Sequence, residues 1–189
     1  MSQQDHFPKS VDRELKRELT DPSSVRAAFS KMVALYSEPL YWKIRRMVLT
    51  HDNANDVLQN TFLKAWSKLD SFRGEAKLST WLYRIAVNEA LDFLRRQRNV
   101  PEAGDEALLS ASRQLMADSY FDGDKLQSLL QAAIALLPDV QRTVFCMRYY
   151  DDMKYSEISK VLGTSEGGLK ASYHLAVKKI AAVIKQSEI

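Results

Sequence analysis

The chain has 189 residues, 46% of them apolar and 27% charged, and a formal net charge of +3; this is the composition of a globular protein with room for one medium domain or two small ones. The single cysteine excludes a disulfide scaffold, the lack of any run of about eighteen apolar residues excludes a membrane helix, and the low glycine content argues against glycine-rich nucleotide loops. The charge is unevenly placed. Residues 1–26 balance, residues 27–98 carry twelve Lys and Arg against seven Asp and Glu, residues 99–125 carry two against six, and residues 126–189 carry eight against six. Two basic blocks flanking an acidic bridge predict two modules. The polar N-terminus has no apolar signal core, so the expected location is cytoplasmic.

In chain order the periodicity is helical almost throughout. Asp21-Pro22 reads as an N-cap with Pro at the first helical position. Ala28, Met32, Leu35 and Tyr36 then form one apolar stripe, continued by Leu40, Ile44, Met47 and Val48, with a kink or break expected at Pro39. Thr50 to Asn53 is a turn and capping cluster. A second helix carries Val57, Leu58, Thr61, Phe62, Ala65 and Trp66 at helical spacing. Ser71 to Thr80, with Gly74, reads as a loop. A third helix runs from about Ser79 to Arg98, with Leu82, Ile85, Ala86, Leu91 and Leu94 inward and Arg95, Arg96 and Arg98 at the negative end of its dipole.

Asn99 to Asp124 lose this regularity and read as an acidic linker, with one short helix around Leu108–Met116. Fully extended, its roughly 26 residues reach at most ~90 Å. Beyond it, one helix holds Leu126, Leu129, Leu130, Ala133, Ile134 and Leu137, and Pro138 starts another with Val140, Val144, Phe145 and Met147. Ser156 to Leu162 is a short helix that Gly163 can stop, and Thr164 or Ser165 caps a longer one reaching about Ile184. Two helices around a tight glycine turn make a helix-turn-helix, whose second helix enters the major groove, or an ordinary corner of a helical bundle.

Phe72, Trp81, Tyr83 and Phe93 lie among Arg73, Lys77, Arg84, Arg95, Arg96 and Arg98. Such interleaving suits single-stranded nucleic acid, where bases stack and phosphates meet cations; the plainer reading is core aromatics beside a solvated basic face. Gly163, Gly168 and Lys170 lack the order of a phosphate-binding loop, because Leu169 intervenes and a helix precedes. His6, His51 and His174 are dispersed, Cys146 sits on an apolar helix as a core residue, and Asp151-Asp152 reads as a turn. No catalytic or metal-ligand spacing is found, so no enzyme activity, metal or cofactor is expected.

Asp56 to Trp66 resembles region 2.2 of the extracytoplasmic-function (ECF) sigma factors. Phe72-Arg73-Gly74-Glu75 and Ser79 to Ala86 resemble region 2.3, and Asn88, Asp92 and Arg95-Arg96 resemble region 2.4. Leu137-Pro138, Gln141-Arg142, Val144-Phe145 and Arg148-Tyr149 resemble region 4.1, and the helix-turn-helix resembles region 4.2. The resemblance implies an all-α fold of two small helical domains, sigma2 and sigma4, joined by a flexible linker. Its boundaries fall at 1–24 for an N-terminal extension, 25–98 for sigma2, 99–124 for the linker and 125–189 for sigma4. It implies a promoter-specificity subunit that binds core RNA polymerase and promoter DNA, with an anti-sigma factor as a further partner.

The same resemblance nominates residues. Asp56, Leu58, Gln59 and Phe62 would meet the polymerase. Trp81, Tyr83, Arg84, Asn88, Arg95 and Arg96 would meet the −10 element, with the loop before them holding a flipped base. Ser165, Glu166, Lys170, Ser172 and His174 would read the −35 element, with Lys178 and Lys179 near phosphates. The chain departs from the family at Ser172, Leu175 and Val177, positions that are often Arg, which predicts fewer phosphate contacts and a shallower salt dependence. The alternative is a stand-alone helix-turn-helix regulator that does not recruit polymerase.

Overall fold

The computed structural model describes residues 9–72, 77–98 and 125–187. The expected linker with its helix at 108–116, the segment Arg73-Gly74-Glu75, and His6 lie outside these. Among the described residues there are only helices and their connections: α1 (Lys9–Thr20), α2 (Val25–Val48), α3 (His51–Ser67), a 3-10 turn (Leu69–Ser71), α4 (Leu78–Arg98), α5 (Lys125–Ala135), α6 (Asp139–Tyr149), α7 (Tyr155–Leu162) and α8 (Glu166–Ser187). None of the described helices is long and apolar enough to cross a membrane.

The first module is built on α2. Its buried residues, Ala28, Met32, Tyr36, Leu40, Ile44 and Met47, continue the stripe read from the sequence. α1 adds Leu15 and Leu19 to that core, and Ser24 Oγ donates to Glu18 O at 2.8 Å, closing the corner between α1 and α2. Two local readings are corrected here. Asp21 does not start α2: its carboxylate accepts from the Ser23 N–H at 2.9 Å and the Ser23 hydroxyl at 2.8 Å, holding a turn, and the helix begins at Val25. The Ser23 N–H and hydroxyl also lower the Asp21 pKa. Pro39 does not break α2, which runs through it. Proline removes one helical N–H, but Tyr36 and Leu40 are buried on either side, so packing outweighs the lost bond.

Helix ends elsewhere follow local chemistry. Thr50 Oγ1 accepts from the Asn53 N–H at 3.3 Å and caps α3. Gly163 ends α7 with φ 67°, its N–H donating to Ser159 O at 2.8 Å. Ser165 Oγ accepts from the Gly168 N–H at 3.3 Å at the start of α8. The α5–α6 connection is closed by a buried cation. Arg142 Nη1 donates to Ala135 O at 2.8 Å and Leu137 O at 3.2 Å, and Nη2 to Asp139 Oδ1 at 2.7 Å. One side chain thus satisfies the last carbonyl of α5 and one in the connection that follows it.

The two modules share a core. α2 packs on α6 and α4 on α7. Val144, Met147, Ile158, Val161 and Leu169 belong to the same buried cluster as Met32, Ile44, Leu82 and Ile85. A smaller cluster of Ala133, Ile134, Leu137, Phe145, Cys146, Ala176 and Ile180 holds α5, α6 and α8 together. Cys146 is the core residue the sequence predicts, and burial pushes its thiol up to about 12.

Two outcomes follow from this packing. Arg142→Ala removes the buried guanidinium shared by Asp139 and the Ala135 and Leu137 carbonyls, and is expected to destabilise the chain by about 3 kcal/mol in urea unfolding; a loss below about 0.5 kcal/mol would contradict the buried closure. Cys146 is expected to stay inert to a thiol reagent at pH 8 until denaturant is added. An unfolded thiol ionises near pH 9 while the folded one holds its proton to about 12. The stability it contributes is therefore complete below pH 9 and declines as the pH rises through that window.

Candidate nucleic-acid and protein interfaces

Three helices carry the nominated residues. On α4 the 3.6-residue period puts Trp81, Arg84, Asn88 and Arg95 on one outward stripe, with Arg96 beside it. Arg84, Asn88, Arg95 and Arg96 are exposed and Trp81 is half-buried. Phe72, buried, supports Trp81 with ring centroids 4.8 Å apart and planes tilted by 39°. Arg95 pairs with Asp92 at 3.0 Å, both well exposed. Tyr83 does not join this stripe. It lies about 100° around the helix from Arg84, is buried, and its hydroxyl donates to Asp151 Oδ2 at 2.5 Å. Burial first, then the Asp151 charge, raises its pKa well above the usual phenol value.

The start of α4 is held from far away in the chain. Leu78 N donates to Asp12 Oδ1 at 3.0 Å, so a carboxylate from α1 sits at the positive end of the α4 dipole. Asp12 is itself paired with Lys16 at 3.1 Å. α1 thereby fixes the entry to the aromatic and basic helix. Sequence reading missed this role because the partners are 66 residues apart.

On α3, Asp56 and Gln59 are exposed, while Leu58 and Phe62 are half-buried and packed on the core. The outward stripe continues to Leu63 and Trp66, which are 62% and 44% exposed. The helical spacing read from the sequence groups Trp66 with Val57 and Ala65, and Leu63 carries no separate role there. The spacing 56, 59, 63, 66 was the available signal, a second stripe beside the buried one. Trp66 is held edge-on by Phe29 at 4.8 Å between ring centroids. Lys64 bonds to Glu89 and ties α3 to α4. Asp56, Gln59, Asn60, Phe93, Arg96 and Gln97 line a groove between these helices, so residues nominated for two different partners meet along one depression.

On α8, Leu169, Ala176 and Ile180 are buried and Tyr173 is half-buried. Ser165, Glu166, Lys170, His174, Lys178 and Lys179 are exposed, and Ser172 is half-buried. Leu175 and Val177 are also exposed, at 46% and 41%. The outward face is therefore part cationic and part apolar. Lys170 Nζ lies 5.8 Å from the ring centroid of Tyr155, which orients it at the turn. Among the described residues no group of three His, Cys, Asp or Glu side chains is arranged to hold a metal ion.

These surfaces coincide with known families. The profile described as Sigma-70 region 2 matches residues 32–100, and that described as Sigma-70, region 4 matches residues 127–180. The chain is similar to the ECF RNA polymerase sigma factor SigW of Bacillus subtilis, with 34% identity over 157 residues, covering 78% of this chain and 83% of that one. It is 29% identical over 153 residues to the ECF RNA polymerase sigma-E factor of Escherichia coli, covering 76% and 80% of the two chains. Its fold is similar to that of CnrH in complex with the cytosolic domain of CnrY, with a TM-score of 0.65 at 24% identity over 93% of this chain and 98% of the other. It is also similar to that of the sigma factor RpoE in complex with the anti-sigma factor NepR from Bartonella quintana, with a TM-score of 0.61 at 22% identity, covering 83% and 96%.

Asp12→Ala removes the carboxylate at the head of α4. The expected loss is about 1 kcal/mol, read as a lowered thermal midpoint together with faster amide exchange in the first turn of α4. Unchanged exchange there would contradict the capping role.

Proposed function

Because the chain belongs to the ECF sigma factors, we propose that its three outward helical faces divide the work of a promoter-specificity subunit. It binds core RNA polymerase and directs promoter-specific initiation at −35 and −10 elements. The carrying observation is that one chain holds both sigma-70 regions in order, with an aromatic and basic face on α4 and a helix-turn-helix at α7–α8. A stand-alone regulator would need only the helix-turn-helix; the exposed stripe on α3 and the Trp81 face on α4 would have no task. The chemistry of RNA synthesis belongs to the polymerase, and this chain acts in the cytoplasm beside it.

In this reading residues 25–98 act as sigma2, residues 125–189 as sigma4, residues 99–124 as the linker, and residues 1–24 as an extension that steadies α4 through Asp12. Asp56 and Gln59, with Leu58 and Phe62 behind them and Leu63 and Trp66 continuing the stripe, dock on the polymerase. Apolar anchors ringed by polar groups are the usual centre of such a contact. Trp81, Arg84, Asn88, Arg95 and Arg96 meet the −10 strand. Opening the duplex costs a few kcal/mol of stacking per step, offset when bases stack on an aromatic and phosphates meet Arg. Ser165, Glu166, Lys170, Ser172 and His174 read −35 base edges, and Lys178 and Lys179 hold phosphates. An anti-sigma factor is a further proposed partner.

The test is reconstitution with core polymerase and a promoter library. Promoter-specific starts are expected; a chain that neither binds core polymerase nor yields them would overturn the reading. Trp81→Ala is expected to reduce permanganate-detected melting by about tenfold or more, roughly the loss of one base-stacking contact, while polymerase affinity changes less than about twofold. Equal losses in both would reject the stacking role. Lys178→Ala and Lys179→Ala are each expected to flatten the salt dependence of −35 duplex binding, with the slope of log K against log salt falling by about 0.9. An unchanged slope would remove these lysines from the phosphate contact.

A further inference from the structure

We propose that Leu175, with Ala171 beside it, is a specificity determinant of α8 that reads the 5-methyl group of thymine in the −35 duplex. The chain then selects A·T pairs where a cation at the same position would select guanine. This inference rests on the proposed promoter reading and deepens it by naming the base chemistry that the second module recognises.

The helical period decides which side chains of α8 look away from the core. Leu169, Ala176 and Ile180 are buried. At about 100° per residue, the direction opposite to them passes through Gly167, Ala171, His174 and Lys178, all exposed. Leu175 stands about 40° from Ala171 on that side, is 46% exposed, and belongs to neither buried cluster. Val177 is also exposed but lies about 160° around the helix from Leu175, on the flank of Lys170. A lone exposed leucine is ordinary; its setting is what points to a ligand. Lys170 precedes it and Lys178 and Lys179 follow it, so the apolar patch is bracketed along the helix by exposed cations. That is the charge complement of a duplex groove, whose edges are lined by phosphates. Gly167 adds a steric argument. Glycine lowers helix stability relative to alanine, the backbone here is helical and not left-handed, and a Cβ at this position would meet nothing within 4 Å. Neither packing nor backbone geometry calls for glycine. Bare backbone at 167, a methyl group at 171 and a leucine at 175 make a face that can sink into the major groove, where the second helix of a helix-turn-helix enters.

The chemistry of the groove selects the base. Thymine alone of the four bases presents a methyl group in the major groove, and apolar side chains pack against it, whereas Lys and Arg pair with guanine N7 and O6. A leucine against a guanine edge or the cytosine amino group would bury a polar group without a partner. Ala171 and Leu175 are four residues apart, about 6 Å along the helix axis. That is close to two base-pair steps of about 3.4 Å, so the two side chains fit neighbouring A·T pairs.

The experiment uses the full chain with core polymerase. A library randomised over the −35 element identifies the preferred sequence, and each of its thymines is then replaced by deoxyuridine, which lacks only the 5-methyl group. At one or two adjacent pairs the replacement is expected to weaken promoter binding by roughly fourfold, the burial of one methyl-sized group. Leu175→Ala is expected to bind the thymine and deoxyuridine promoters within about twofold of each other, since the partner of the methyl group is gone. Leu175→Arg is expected to move the preference at that pair from thymine to guanine. Leu175 is exposed, so both variants keep the core, and circular dichroism checks their folding. Five results would each overturn the methyl contact: a preferred element without an A·T pair, parent binding unchanged by deoxyuridine, a deoxyuridine penalty that survives in Leu175→Ala, no move towards guanine in Leu175→Arg, or a Leu175→Ala loss as large for core polymerase as for the promoter. The last would make Leu175 a protein contact. A chain that yields no promoter-specific starts would overturn the promoter reading. Duplex selection by the chain alone, with the same deoxyuridine replacements, then decides the methyl contact, and failure to select any duplex overturns it as well.

Discussion

Everything in this molecule is hung on one helix that has to be buried on more than one side. α2 packs against α1, α3 and α4 within the first module and against α6 of the second. A surface helix needs a single apolar stripe; α2 instead buries Met32, Tyr36, Leu40, Ile44, Met47 and Val48, and also Arg45. That demand explains why Pro39 is tolerated. A helix held by its surroundings loses one internal hydrogen bond and keeps its course. It also explains why Lys43 and Arg46, which look like ordinary solvated cations in the sequence, are spent on contacts with the second module.

Polar groups complete what the apolar core begins, and they do so over long sequence distances. Asp12 stands at the head of α4, Arg142 gathers the end of α5, Lys64 meets Glu89 between α3 and α4, and Asp151 joins both modules. Each of these places a charged group where a helix end or another charge satisfies it, the condition under which buried polar groups are stable. The aromatic face of α4 depends on this frame twice. Its first turn is fixed from α1, and its Tyr83 flank is covered by the α6–α7 connection.

What could be read from the sequence was what neighbouring residues decide. Thr50, Gly163 and Ser165 act on backbone within a few positions of themselves, and the apolar periods of α3, α4 and α8 are local repeats, so these elements and their caps were legible. Asp21 misled because an Asx turn and an N-cap use the same residue type and differ only in where the next N–H points. The exposure of Trp66 was not legible because the residue follows the buried Ala65 on a helix with two adjoining apolar stripes. Asp151 and Tyr83 were illegible for a different reason: their roles exist only once two modules separated by a long linker are brought together. The reading of Asp151-Asp152 as a turn describes the backbone correctly and says nothing of the carboxylate.

The composition of α8 gains a physical explanation from its exposure. Ser172 is half-buried while Leu175 and Val177 face outward, so the Arg-poor run is not simply a buried face. The cations that remain, Lys170, Lys178 and Lys179, sit at its two ends. A helix with fewer charges binds duplex DNA less tightly and with less salt sensitivity, which places more of the work of promoter engagement on the first module. A buried ion pair such as Lys43 with Asp151 suits that division. Removing either partner would leave the other charge buried and uncompensated, so the pair favours one docking geometry.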